Sequence, residues 1–429
     1  MRALRLAQQG LGLLCGGLMC AAMAVDYRVA PSVTSECHDQ LSRIVSRLEP
    51  GDSVYLESGL YTQTCNRNYT MRGTAARPVV IYADATEPAI LQRPDQDRSR
   101  LNNLELVDSE YVVIRGLHFV GGSIGVRIMG GHHIVLENGL ISDTGTTAIA
   151  INYRDTHHVT LRNNEITRTG LAEDAPGEGI YAGCHDGTCV VTDSLFEDNY
   201  IHDLRGDPRG GNDGIEIKVG SGGNIVRGNR IENTLINAQF PCIFVYGGGS
   251  RVNLIENNVL SRCGEAIQVA ADAIVRNNIV YQASVAGILS AAHEQNPNPG
   301  HVYILNNTVI DAPVCAILDW RDSTHMVFAN NALFCSATTA LRARESANGL
   351  LLGNGWHGKL SGISRQHPGL FPLRTADVEL EAPSDGRYAP APDSRLKRRA
   401  IDLVPGRPAN DFHQRPRNSN GFATVGAIE

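Results

Sequence analysis

One short phrase recurs along most of this chain and constrains its fold more than any other feature. From about residue 105, alternating apolar and polar residues run repeatedly into an Asn-containing turn. Successive copies are 20 to 35 residues apart, which is the signature of a repeat architecture. Strict alternation over four or five residues predicts short strands with one buried face. The recurring asparagines are Asn138, Asn164, Asn199, Asn229, Asn258, Asn278, Asn307 and Asn331.

We therefore predict an all-β fold, a solenoid of parallel strands whose asparagines stack and pair their amides from coil to coil. Residues 38–48 (HDQLSRIVSRL) have helical spacing and are expected to cap the first coil. Beyond residue 354 the Asn phrase is lost, and Ala400–Asp402 and Val425–Glu429 are expected to be closing strands. The predicted organisation is a signal peptide at 1–24, an N-terminal helical cap with the first coils at 25–100, repeats with a groove at 101–354, and C-terminal coils with an irregular cap at 355–429.

The first 24 residues have the features of a secretory signal peptide. Arg2 and Arg5 give a charged start, residues 10–21 are small and apolar, and Ala22-Met23-Ala24 has a small-x-small cleavage pattern. This apolar stretch is too short for a stable membrane span, and no other segment is apolar enough to cross a bilayer. We expect a mature chain that begins near Val25 and is secreted or periplasmic.

Ten cysteines occur, and Cys15 and Cys20 fall in the signal segment, which leaves eight in the mature chain. An even number in an exported chain favours disulfides. Spacings of 21 and 20 residues are close to one repeat and would join neighbouring coils, and a spacing of five would close a small loop. The predicted pairs are Cys242–Cys263, Cys315–Cys335, Cys184–Cys189 and Cys37–Cys65, with a metal–thiolate site as the alternative.

The net charge and the small number of lysines limit the possible functions of the chain. The formal net charge of −7 argues against a polyanion bound by net attraction alone, and no basic stripe with interleaved aromatic residues supports nucleic-acid binding. Only three lysines occur against 35 arginines, and one of them, Lys218, lies among carboxylates. Because Lys can lose its proton whereas Arg stays protonated, this indicates a position where a removable proton matters. The alternative is a surface ion pair with Glu216.

Stacking the strands places the outward residues of neighbouring coils in rows. Coils stack about 4.8 Å apart, so residues on adjacent coils share one patch. The coils at this patch are long, and the extra residues Leu171–Pro176 and Arg205–Gly211 are expected to form loops that build a cleft. The three predicted rows are Ala150, Tyr181, Glu216, Phe244 and Gln268; Asn152, Gly183, Lys218, Tyr246 and Ala270; and Thr147, Glu178, Asp213, Pro241 and Glu265.

This patch has the groups needed to cleave a polymer of uronic acids. The proton on the carbon beside a sugar carboxylate is weakly acidic, and a divalent cation on that carboxylate assists its removal. Lys218, with its pKa lowered by the cation and by Arg205 or Arg209, would take the proton. Tyr246 would protonate the departing sugar oxygen. The predicted Ca²⁺ ligands, all hard oxygen donors, are Asp213, Glu216 and Glu178.

The repeat resembles that of right-handed parallel β-helix proteins. Three stretches in the cap and first coils, Pro50–Tyr61, Gly73–Ile81 and Tyr111–Phe119, are similar to polysaccharide lyases of the alginate lyase and chondroitinase B kind. The resemblance implies an exported lyase for an acidic polysaccharide, in which a Lys after an alternating strand is the base and preceding acidic residues bind Ca²⁺. Lys218 stands in the similar place. The Arg that this family carries one coil later is not matched, because Tyr246 stands there.

Further residues are predicted to contact substrate, and Trp320 is expected to stack on a sugar ring unless it simply packs. The predicted substrate-binding residues are Tyr181, Arg205, Gln268, His293, Trp320 and Arg321, and the predicted catalytic residues are Lys218, Tyr246 and Arg209. Two other functions suit the scaffold. A uronate epimerase would share the proton abstraction, and a non-catalytic carbohydrate-binding surface protein would use the groove without chemistry. We expect a monomer.

Overall fold

The computed structural model describes residues 23–37, 39–84, 86–234, 240–297, 300–320, 323–344, 349–418 and 423–429. The predicted signal segment at 1–24 therefore lies almost entirely outside the described residues. Short strands wind into a coil and pair in parallel with strands one coil away, so that 36 strands join in one hydrogen-bonded assembly. The predicted all-β solenoid is confirmed.

The coils contribute strands to three parallel sheets. Long strands that take part in two sheets are Leu104–Arg115, Val126–Glu137, Ala332–Arg344 and Asn354–Ser361. The sheet that carries the predicted site, here called the groove sheet, further contains Arg67–Tyr69, Ile149–Ile151, Ile180–Ala182, Ile215–Ile217, Ile243–Val245, Glu265–Val269, Ala286–Ala291 and Val314–Asp319.

The other two sheets complete each coil. The second sheet contains Asp26–Val29, Ser53–Leu56, Val79–Tyr82, Thr156–Arg162, Val191–Thr192, Leu195–Glu197, Ile225–Arg227, Asn253–Glu256, Ala273–Arg276, Gly300–Leu305, Thr324–Ala329 and Gly349–Leu352. The third sheet contains Ser32–Val33, Gly59–Thr62, Ala89–Gln92, Leu117–Val120, Leu140–Ser142, Glu165–Thr167, Tyr200–His202, Arg230–Glu232, Val259–Ser261, Ile279–Tyr281, Thr308–Ile310 and Leu370–Pro372.

The inner face of the groove sheet is a column of isoleucines. Ile180 pairs in register with Ile215, and Ile215 with Ile243, and all three are fully buried. Each such side chain contributes about 1.5–3 kcal/mol by leaving water. A slip of one residue would turn every isoleucine to solvent, so the buried column fixes the register between coils. The same alternation sends Tyr181 and Glu216 outward.

A ladder of asparagines runs beside the core, as predicted. The backbone N–H and the Nδ2 of Asn164 both donate to Asn199 Oδ1 at 3.1 Å. The expectation for Asn138 is wrong: it is exposed with a φ of 54°, and Gly139 occupies the ladder position, its N–H donating to Asn164 Oδ1 at 3.0 Å. The asparagines that continue the ladder are Asn199, Asn229, Asn258, Asn278, Asn307, Asn331 and Asn354.

The N-terminal cap is a shorter helix than predicted. It spans Gln40–Val45, and the side chain of Asp39 caps it by accepting from the N–H of Ser42 at 2.8 Å. Its buried face packs Leu41 and Ile44 onto the first coils. Of the predicted segment 38–48, residue 38 lies outside the described residues. The other helical segments within the described ranges are Ala376–Glu379 and the 3-10 turns Asp95–Asp97 and Pro383–Asp385.

The C-terminal end departs from the expected closing strands. The coil continues past residue 354 through Asn354–Ser361 and Leu370–Pro372, and only a small antiparallel pair, Leu380–Ala382 with Arg387–Pro390, follows. Ala400–Asp402 and 423–429 form no strand. Instead the tail packs across the turns beside the third sheet, because its apolar residues bury against the outside of the coil.

All four predicted disulfides are present, at Cys37–Cys65, Cys184–Cys189, Cys242–Cys263 and Cys315–Cys335. The last two join neighbouring coils, as their spacing indicated. Among the described residues, no helix combines the length and the apolar character that a membrane span requires.

Candidate active site on the groove sheet

The outward row predicted on the groove sheet is present in the register of its strands. Glu216 pairs with Tyr181 on one side and with Phe244 on the other, and Phe244 pairs with Gln268. Lys218 and Tyr246 follow their strands directly, and the N–H of Tyr246 donates to Ile217 O at 3.1 Å. The coil therefore brings these side chains onto one wall, as stacking of the sequence phrases indicated.

Lys218 is the centre of this wall, and it is buried. Its Nζ donates to Glu216 Oε1 and lies 3.2 Å from Tyr246 Oη. The phenol of Tyr246 donates to the same Glu216 Oε1 at 2.8 Å. The Nζ also lies 4.7 Å from the ring centroids of both Tyr181 and Tyr246, at cation–π distance. A lysine that is only 4% exposed and is held by Glu216, Tyr181 and Tyr246 does not form a solvated surface ion pair.

A glycine makes this placement possible. Gly183 precedes Lys218 by one coil in the same row and has a φ of 103°, a conformation that side chains rarely adopt. A Cβ at residue 183 would lie 2.9 Å from the Cβ of Lys218 and 2.7 Å from Ser221 Oγ. The absence of a side chain at this point leaves the space in which Lys218 reaches Tyr181.

Three further carboxyl groups lie in the row at the start of these strands. Glu178, Asp213 and Glu265 are all buried. Burial, and then the charge of Glu216, raise the pKa of Glu178 to about 7. The same two causes raise the pKa of Asp213, and burial raises that of Glu265. The raised pKa values favour the protonated form of these carboxyls, in which a carboxyl can donate a hydrogen bond.

Some contacts of these carboxyls favour a calcium site and others do not. Asp213 Oδ1 and Glu265 Oε2 are buried without a hydrogen-bond partner among the described residues, which suits oxygen ligands. However, Glu216 is held by Lys218, and Glu178 Oε2 accepts from Thr147 Oγ1 at 2.7 Å. Over the described part of the chain, no three His, Cys, Asp or Glu side chains converge as a metal-binding group. Calcium binding therefore stays a prediction.

The two predicted loops pack against each other and form one rim of the groove. The N–H of Asp207 donates to Ala175 O at 2.8 Å. The guanidinium of Arg209 donates to Asp207 at 2.9 Å and to Asp174 at 2.5 Å, and it is exposed. Arg209 thus ties the two loops together, and its catalytic role stays a prediction. Arg205 is also exposed, beside Leu204 on the same loop.

The opposite rim joins the disulfide loop 184–189 to a segment from a later coil. The ring of His293 meets those of Phe244 and Tyr246 edge-on, with centroids 5.3 Å and 4.7 Å apart. Asn296 Nδ2 donates to Tyr246 O at 2.9 Å, and Gln295 Nε2 donates to His185 O at 2.5 Å. Asn296 and Gln295 were not predicted, because an Asn-Pro-rich segment indicates only a loop.

Trp320 is not on the groove surface. Its side chain is buried, and its Nε1 donates to Ser290 Oγ at 2.8 Å inside the coil. The expected sugar platform is therefore wrong, because the indole fills the core and pairs its only donor there. Arg321 lies outside the described residues. Gln268 and His293 are partly exposed at the groove, next to Phe244.

The protonation of Glu178 gives a testable pH dependence in metal-free protein. A carboxyl whose pKa rises from 4.5 to about 7 on folding stabilises the fold fully below pH 4.5 and loses that contribution as pH rises through 7. As pH rises between these two values, the free energy of unfolding of Glu178→Gln should increase relative to that of wild type, by about 3 kcal/mol at most. Urea unfolding at pH 5 and pH 8 in a chelating buffer measures this difference.

The control for this prediction is Glu57→Gln, which removes an exposed carboxylate that lies 3.6 Å from Arg28. It reports the general effect of deleting one negative charge. An identical stability difference for Glu178→Gln at both pH values would show that Glu178 ionises normally in the folded protein.

The comparison with known proteins agrees with this geometry at the level of fold. The family model described as "Right handed beta helix region" matches residues 96–250 and 209–333, which together span more than half of the chain. No curated relative matches the sequence. The resemblance to β-helix proteins stated from the sequence is thus confirmed.

Solved structures give the same result. An alginate lyase from Paenibacillus sp. is 21% identical, with 78% of this chain and 99% of that chain covered and a TM-score of 0.53. Pectate lyase Pel9A is 16% identical, with 95% and 97% covered and a TM-score of 0.51. XylC, solved in complex with xylose, is 9% identical, with 94% and 98% covered and a TM-score of 0.58. At these identities the likeness shows the fold alone.

Proposed function

We propose that this chain, which belongs to the right-handed β-helix family, is a polysaccharide lyase that cleaves a uronic-acid-containing polysaccharide by β-elimination. The observation that carries the proposal is the buried group of Lys218, Glu216 and Tyr246, in which one carboxylate oxygen accepts from both an ammonium and a phenol. Two of the similar structures are an alginate lyase and a pectate lyase, which supports the choice of reaction.

The first step prepares the base. When a sugar covers this wall and excludes water, the proton shared by Lys218 and Glu216 moves to Glu216, because a neutral pair costs less in a dry site than two charges. The Lys218 amine then takes the proton from the carbon beside the sugar carboxylate. The electron pair left on that carbon forms the double bond to its neighbour, and the bond from that neighbour to the glycosidic oxygen breaks.

The second step protonates the leaving group and restores the starting protonation of the site. Tyr246 gives its phenolic proton to the departing sugar oxygen, and the resulting phenolate recovers a proton from Glu216, 2.8 Å away. The site then returns to its starting state, with Lys218 protonated and Glu216 ionised. Glu216 thus acts as a proton relay between the two residues, and every transfer within the protein follows a hydrogen bond of the structure.

The substrate carboxylate needs partners that offset its charge as the adjacent carbon loses a proton. In their protonated forms, which their raised pKa values favour, Asp213 and Glu178 would supply hydrogen-bond donors in the row beside Glu216. A cation bound by the same carboxylates would offset the charge more strongly, which is the role predicted for Ca²⁺.

The protein is proposed to act outside the cytoplasm. Four disulfides are typical of chains that fold in an oxidising compartment. An acidic polysaccharide of a cell wall or an extracellular matrix is accessible there.

The test is a panel of alginate, pectate, chondroitin and bacterial exopolysaccharides, each incubated with purified protein with and without a chelator. Formation of ultraviolet-absorbing unsaturated uronate ends on at least one polymer is the expected result. Inverted uronate stereochemistry without chain cleavage would identify an epimerase, and binding without any product would identify a carbohydrate-binding protein. Activity that survives the chelator would remove calcium from the mechanism.

A further inference from the structure

A second set of polar groups lies on the groove sheet before the candidate active site. Arg127 is an outward residue of Val126–Glu137 and pairs in register with Ala150, which pairs in turn with Tyr181. Tyr181 pairs with Glu216, so Arg127 lies three coils before Glu216. At about 4.8 Å per coil the separation along the solenoid is about 14 Å. A polymer lying along this sheet would contact both places.

Arg127 is a cation without an anion. It forms no hydrogen bond or ion pair with any described residue, and its Nε is buried without a partner. The carboxylate of its register neighbour Glu105 accepts instead from Asn68 at 3.2 Å and from Asn102 at 2.6 Å. A partly buried guanidinium costs free energy until a partner is supplied, and a carboxylate matches its fork of donors.

An aromatic ring holds this guanidinium in place. The centre of the Arg127 guanidinium lies 4.7 Å from the ring centroid of Tyr153. Tyr153 is 66% exposed and has a φ of 76°, a left-handed conformation that costs a bulky residue about 1–3 kcal/mol. The fold therefore presents an aromatic face to solvent beside the guanidinium, at a conformational cost.

A third group belongs to the same place. Asn152 Oδ1 is buried without a hydrogen-bond partner among the described residues. Asn152 stands in the row that continues through Gly183 to Lys218, since the N–H of Gly183 donates to Ile151 O and that of Lys218 to Ala182 O, both at 2.8 Å. The orphaned amide and the unpaired guanidinium thus lie on the same side of the groove sheet.

We propose that Arg127, Asn152 and Tyr153 form a second subsite for the acidic polysaccharide, separate from the reaction site. Arg127 binds the carboxylate of one uronate unit, the Tyr153 ring stacks on the face of a sugar, and Asn152 accepts from a sugar hydroxyl. This inference rests on the proposed function for its ligand class. Its consequence is a preference for long chains, because a short fragment at Lys218 does not reach Arg127.

The primary test is affinity electrophoresis of wild type and Arg127→Met in gels that contain alginate or pectate. A protein that binds the polymer migrates more slowly, and no turnover is needed. We expect Arg127→Met to bind the retarding polymer about tenfold more weakly, the effect of losing one charge-assisted contact. On a polymer that is cleaved, KM should rise about tenfold with kcat unchanged, and cleavage of short uronate oligosaccharides should stay the same. The matched control is Arg154→Met, which removes an exposed Arg that pairs with Asp108.

A second variant separates binding from folding. Tyr153→Asn places a residue that tolerates the left-handed conformation, so its melting temperature should equal or exceed that of wild type. Weaker retardation by the same polymer despite this stability supports the subsite. The subsite proposal is overturned if Arg127→Met and Tyr153→Asn are both retarded as strongly as wild type. It is also overturned if neither polymer retards wild type. Retardation of wild type without unsaturated products would instead end the lyase proposal and leave the subsite standing.

Discussion

Lys218→Ala should lower the rate of formation of unsaturated uronate ends by about 100-fold to 10⁴-fold, the range that a positioned proton-transfer group supplies. The physical reason is that Lys218 is the only amine among the described residues of this wall, where Glu216 and Tyr246 are hydrogen-bonded to each other. Without it, the relay has no group to take the proton from carbon. The measurement is the initial rate of absorbance increase on the polymer that the panel identifies.

The chain provides matched controls, because its two other lysines, Lys359 and Lys397, are exposed. Lys359→Ala and Lys397→Ala should keep the wild-type rate. Circular dichroism must show an intact fold for Lys218→Ala, since this change also leaves Glu216 buried without its cation. A folded Lys218→Ala protein that retains more than a tenth of the rate would exclude Lys218 from proton transfer.

Asn229→Ala should lower the free energy of unfolding by about 3–6 kcal/mol, because several buried groups lose their partners at once. Asn229 Oδ1 accepts from the backbone N–H and the Nδ2 of Asn199, both at 3.0 Å. Its own Nδ2 donates to Phe196 O at 2.9 Å and to Asn258 Oδ1 at 3.0 Å. Alanine leaves the Asn199 donors and the Phe196 carbonyl unpaired in a closely packed interior. Urea denaturation measures the change.

The control for the ladder is Asn138→Gly, in the turn where the sequence wrongly predicted a ladder residue. Asn138 is exposed and has a φ of 54°, which glycine adopts without strain, so its replacement should change stability by about 0.5 kcal/mol or less. If Asn229→Ala cost no more than Asn138→Gly, the ladder would contribute specificity of register without net stability.

The rows of the groove sheet could be predicted from sequence because two periodicities fix them. Alternation along a strand decides which residues face out, and the buried isoleucines decide which residues lie side by side on adjacent coils. The contact between Lys218 and Tyr246, 28 positions apart, follows from these two facts alone. The disulfide between Cys242 and Cys263 was predictable for the same reason, since its spacing matches one coil.

The turns and loops could not be predicted in the same way. Two adjacent asparagines look equivalent in sequence, yet Asn163 takes a left-handed φ of 53° and Asn164 turns its amide into the ladder. Arg209 was assigned to the site because it is close to Asp213 in sequence. In the structure its guanidinium donates to Asp207, two residues away. Trp320 follows the strand Val314–Asp319, where alternation no longer decides direction, and its side chain turns into the core.

The C-terminal tail changes how such a coil is expected to come apart. A stack of repeats with only neighbour contacts loses its coils one at a time from an end. Here the tail is hydrogen-bonded to three successive coils. Arg417 donates to Asn277 Oδ1 at 2.7 Å, Asn306 Nδ2 donates to Thr424 O at 3.4 Å, and the N–H of Ile401 donates to Asn330 Oδ1 at 2.8 Å. Fraying from the last coil therefore requires that the tail detach first, and these three coils are expected to unfold together.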